Sequence, residues 1–145
     1  MKVQDQDIYH GAALTQVVEH ESFKALNKGS GRYGHYLVNA DCNVFVKYST
    51  HEDGPWIFNF QPDHLEPIRN VLGTESRAFV CLVCGEKTVC ALSSEEIQEV
   101  INLHAGNPQW VRVQFPSGGS CRVQGSAGTL SRTVPHNSFP NKLFE

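Results

Sequence analysis

Short runs of alternating apolar and polar positions, cut by Gly, Asn, Asp and Pro, fill most of the chain, and three stretches of helical spacing interrupt them. Leu14, Val17, Val18 and Glu21 share one helical face, which predicts a first helix over residues 10–26, with Ser22 as a local break and Gly29 and Gly31 as the stop. The next three runs, 35–39, 44–50 and 56–61, are β-rich and separated by Asn39-Ala40-Asp41 and Asp53-Gly54-Pro55, so they read as a three-strand meander. In the third run Trp56, Phe58 and Phe60 alternate with Ile57, Asn59 and Gln61, giving one heavily apolar face.

Asp63-x-x-Glu66 resembles a capping box ahead of Leu65, Ile68 and Leu72, predicting a helix over 64–72 closed by Gly73. Residues 78–83 are apolar on both faces, as in a central buried strand, and Gly85-Glu86-Lys87 turns them into a partner at 88–92. Ser93-x-x-Glu96 repeats the capping signature before a helix over 94–104, and a last hairpin joins 110–115 to 121–125 across Pro116-Ser-Gly-Gly-Ser. The predicted order αβββαββαββ makes the fold class α/β with a mixed sheet, in one domain spanning 1–145. Residues 126–145 carry too many breakers for regular structure, but Leu130, Val134, Phe139, Leu143 and Phe144 are spaced to pin that tail onto the domain.

Composition agrees. With 145 residues, 40% of them hydrophobic and 19% charged, the chain is long enough for one core and apolar enough to fill it. No stretch approaches the roughly 20 apolar residues of a membrane span, and MKVQDQDIYHG has no basic segment followed by an apolar one. The expected location is the cytoplasm, with no membrane partner. Five cysteines, an odd number, with three inside apolar runs, fit reduced thiols.

Charge is unevenly placed. Residues 1–99 hold eight Lys/Arg against fourteen Asp/Glu, whereas residues 100–144 hold Arg112, Arg122, Arg132 and Lys142 and no carboxylate. A locally basic third on an acidic chain of net charge −3 fits a protein partner better than nucleic acid, which demands a stronger basic stripe. Arg112, Arg122 and Arg132, with Tyr48 and Trp56 as aromatic anchors, are therefore binding candidates, and an edge strand leaves a homodimer open.

Familiar catalytic signatures do not appear. Cys81-x-x-Cys84 has the spacing of a zinc half-site, but residues three apart in a strand face opposite ways, so buried core thiols are the expectation. The seven histidines form no H-E-x-x-H pair, and the Gly-rich pieces GSGRYG and SGGSCRVQGSAG lack the Lys-Ser/Thr ending of a phosphate loop. A thiol enzyme centred on Cys84, His35 and His51 would need an exposed, acidified cysteine. The most informative residue is Lys47, in the middle of the apolar run VFVKYST, because an ammonium in such a strand needs either a partner or a route to water.

A leading helix, a meander whose middle strand carries lysine, a helix and a buried strand together resemble the PD-(D/E)XK nuclease superfamily over residues about 10–101. The resemblance places Lys47 at the motif lysine and Glu19 at the helix glutamate. It implies a Mg²⁺-dependent nuclease, yet Phe45 stands where the motif acid belongs and His35 or Tyr36 where the strand aspartate belongs. Asp41 and Asp53 are the turn carboxylates left to replace them in a migrated site with Lys47. With both motif acids replaced, the expectation is a non-catalytic binding or regulatory protein on a nuclease-like scaffold, needing no cofactor. An active nuclease holding Mg²⁺ and the thiol enzyme are its alternatives.

Overall fold

The computed structural model describes residues 1–29, 34–116 and 119–145. The Gly-rich piece GSGRYG, with Tyr33, and the Pro116-Ser-Gly-Gly-Ser turn lie in part outside the described residues. Three helices and two sheets make a mixed α/β fold: α1 (Asp5–Val18), β1 (Leu26–Lys28), β2 (His35–Val38), β3 (Cys42–Ser49), β4 (Trp56–Phe60), α2 (Pro62–Leu72), β5 (Arg77–Cys84), β6 (Thr88–Ser93), α3 (Ser94–Val100), β7 (Gln109–Gln114), β8 (Ser120–Gly125), β9 (Gly128–Thr129) and β10 (Val134–Pro135).

The expected mixed sheet is present, in the order β1-β2-β3-β5-β6, with β3 and β5 parallel and the other pairs antiparallel. The expected meander is not. Its third run, β4, leaves this sheet and pairs antiparallel with β7 in a second one, β10-β8-β7-β4. Burial explains the split. β3 and β5 are largely buried on both faces and suit a strand covered on both sides, whereas the one-sided alternation of β4 suits an outer layer.

Successive residues of β3 and β5 feed two cores. Phe45, Val80, Leu82 and Cys84 face the second sheet, α2 and α3, while Val44, Val46, Phe79 and Cys81 face α1 and the C-terminal tail. Cys81 and Cys84 thus lie on opposite faces, and all five cysteines are free and buried.

Helix boundaries differ from the sequence pattern where capping decides. α1 begins at Asp5, not residue 10, because the Asp7 carboxylate accepts the Gln4 N–H at 2.9 Å, and it ends at Val18. α2 starts two residues before the predicted helix, with Gln61 as N-cap and Pro62 at the first helical position. α3 uses the Ser93/Glu96 box as expected but stops at Val100. The tail is more ordered than its breakers imply. It contributes β9 and β10, and Leu130, Val134, Phe139 and Leu143 are buried. Lys142 fastens it, donating to Ala91 O at 2.8 Å and to Glu96 Oε1 at 2.6 Å. None of the helices among the described residues is long and apolar enough to cross a membrane.

Candidate functional site

Among the described residues β2 pairs with β3 along 42–45. Gly34 carries the contact one step further: its carbonyl accepts the Val46 N–H at 2.8 Å, and at φ +81° any Cβ would stand 2.6 Å from Val46 O. Beyond it lies a cavity of about 360 Å³ between α1, β3 and the β4–α2 corner. Phe45, Val46, Phe60 and Ile68 are among its apolar walls, and Gln6, His10, Lys47, Asp63 and His64 among its polar groups.

Lys47 points from β3 toward the second sheet. Its ammonium donates to the Asn59 carbonyl on β4, lies 3.2 Å from His64 Nδ1 and sits 4.4 Å from the centre of the Phe60 ring. Burial pushes its pKa down to about 8, with the Asp63 carboxylate pulling the other way. On the α1 side, His10 Nδ1 lies 3.1 Å from the Tyr36 hydroxyl, and its ring meets Tyr36 and Tyr48 edge-on. Burial lowers the His10 pKa against the opposing pull of Asp7, which keeps the ring neutral at neutral pH. Tyr48, half-buried, also lines the cavity and stacks on Tyr9 with ring centres 5.2 Å apart.

The carboxylates expected beside Lys47 are elsewhere. Asp41 precedes the opposite end of β3, six residues and about 20 Å away along the strand. Asp53 is exposed in the loop after β3 and lines a separate hollow with Tyr9, His51 and Lys87. Glu19 caps the far end of α1, nine residues and about 13 Å along the axis from His10. The acid that does reach the cavity is Asp63, which the sequence pattern marked for helix capping. No cluster of three metal-ligating side chains occurs among the described residues.

The thiol constellation is not assembled either. Cys84 is fully buried between the sheets, where burial drives its thiol pKa far upward, and His35 stacks on Phe45 with Nε2 2.8 Å from Asn43 Oδ1. Trp56, a binding candidate from sequence, is 2% exposed and donates its indole N–H to His51 O at 2.9 Å, so it is core.

The arginines divide. β4, β7 and β8 alternate buried and outward residues, and their outward face carries Ile57, Trp110, Arg112, Gln114, Arg122 and Gln124. Arg112 sits between Ile57 and Gln124, and Arg122 opposite Gln114, so the two arginines are diagonal neighbours. Arg132 is exposed on the loop between β9 and β10, off these three strands. Trp110, 36% exposed, and Ile57, 53% exposed, are apolar side chains of this face that sequence reasoning passed over. Their outward phase in β7 and β4 was the available signal. No known family model, curated protein or solved structure matches this chain.

Proposed function

We propose that the chain is a non-catalytic binding protein that contacts an acidic partner protein through the outer face of its second sheet. The observation that carries this reading is the pairing of Arg112 and Arg122 as diagonal neighbours on a face where none of the outward side chains of β4, β7 and β8 is a carboxylate. Two guanidinium groups at such a diagonal, roughly 7–8 Å apart at Cα, repel each other until an anion lies across them. Ile57 and Trp110 beside them supply apolar area of the kind that anchors protein interfaces, where Trp and Arg are enriched. Net charge −3 and the carboxylate-rich first two-thirds oppose a polyanionic nucleic acid. They leave room for a protein that presents a few carboxylates.

The test is affinity capture on the immobilised chain from native lysate, run beside the Arg112→Glu/Arg122→Glu double variant. An acidic protein retained by the wild type, released as salt rises and lost from a variant of unchanged melting temperature is the expected result. Recovery of nucleic acid, or equal retention by the charge-reversed variant, overturns the reading.

A further inference from the structure

The Lys47 cavity lies on the other side of β4 from any partner seated on the outer face, and it has the ingredients of a small-ligand site. About 360 Å³ falls within the usual range of such pockets, roughly 300–1,000 Å³, and aromatic walls with a few convergent polar groups are their common composition. We propose that this cavity binds a small monocarboxylate with a planar apolar body, its carboxylate on the Lys47 ammonium and its ring between Phe45, Phe60 and Ile68.

Lys47 carries three N–H donors, of which the Asn59 carbonyl and His64 Nδ1 occupy two. His64 Nδ1 also accepts the Gln61 N–H at 3.1 Å, so it is the unprotonated ring nitrogen and adds no charge there. The third donor and the positive charge remain beside a wall that is largely apolar, with Phe60 and Ile68 part of it. An anion that brings its own apolar body answers both needs.

Charge sets the limit to one. Burial disfavours a charge on His10, so among the described residues of the wall Lys47 is the cation on which a ligand relies. A dianion would leave its second charge with no cation among the described residues of the wall. A cationic ligand would have to displace the lysine from its two acceptors.

Benzoate and 2-naphthoate titrated into the ¹⁵N-labelled full chain test this, with benzamide and benzamidine as neutral and cationic counterparts. Saturable shifts at the amides of residues 45–48 and 60–68, with a dissociation constant below about 1 mM for the better acid, are expected from its atom count. Benzamide and benzamidine should bind at least about tenfold more weakly, the worth of one charge-assisted hydrogen bond. Lys47→Met should lose the preference for the acid. Should that variant not fold, Gln6→Glu at the half-buried rim on α1 adds a repelling charge without touching Lys47 and should weaken the acid at least about threefold. Absence of saturation by either acid, equal binding of benzamide, or an unchanged constant in the folded variant overturns the proposal. These outcomes are independent of the arginine face, which neither substitution alters.

Discussion

Lys47 Nζ and the Gln61 backbone N–H converge on one atom, His64 Nδ1, at 3.2 and 3.1 Å. This nitrogen joins the lysine of the first sheet to the N-cap of α2, so the cavity wall and the start of the helix are set by the same ring. His64→Ala should therefore cost about 1 kcal/mol in denaturant unfolding, the ordinary worth of a lost capping contact, and should also move the Lys47 side-chain resonances. A stability loss with those resonances unmoved would separate the two roles.

Lys47 makes stability depend on alkaline pH. Its folded pKa of about 8 lies below the 10.5 of the free side chain, so between these values the unfolded chain binds the proton more tightly. Stability attributable to this group then rises from pH 8 to 10.5, by about 1–3 kcal/mol. Other lysines and tyrosines titrate in the same window, which makes the difference between wild type and Lys47→Met the quantity to measure. The Met variant's advantage should be largest below pH 8 and shrink above it. A difference that is flat with pH would place the ammonium in full contact with water.

Much of this arrangement was legible in the chain, and the exceptions share a cause. The Ser93/Glu96 box, the β5–β6 hairpin and the outward alternation of β4 are local, and each formed where its pattern stands. The parallel pairing of β3 with β5 is not local, since it competes with a short turn to β4 and is decided by which strand is apolar on both faces. The site followed suit. Lys47 stood out because a lysine in an apolar strand is anomalous by itself, whereas His10, Asp63 and His64 are ordinary on their own helices and acquire meaning only when α1 and α2 pack beside β3. Asp41 and Asp53 were chosen for nearness in sequence, and the strand's own rise carried Asp41 away.

Lys142 and Glu96 make the buried bond of the tail. Burial alone would raise the Glu96 pKa, but hydrogen bonds from Lys142 and Ser93 outweigh it and hold the group below its usual value. Its contribution is therefore present at neutral pH and is lost as pH falls through the folded pKa. Lys142→Met should destabilise by roughly 2–4 kcal/mol at pH 7, because Glu96 is left buried without its cation. That gap should narrow on acidification. A constant gap from pH 7 to 3 would assign the loss to packing of the lysine stem.

The thiols supply the sharpest contrast between the binding reading and thiol catalysis. Burial raises the pKa of Cys42 to about 11 and those of Cys81 and Cys84 further. Cys90 donates a hydrogen bond to Cys121, which raises the first thiol and lowers the second. An acidified thiol is reactive only where reagent can reach it, and Cys121 is fully buried between the sheets. Ellman's reagent at pH 8 should accordingly modify none of the five within minutes in the native protein and all five at once in denaturant. Labelling should proceed at the rate of global or local opening, so its dependence on denaturant should follow that of unfolding. Rapid, single-site modification at Cys84 or Cys121 in the native state would instead mean that one thiol is open to substrate, and the thiol-enzyme alternative would then displace the non-catalytic one.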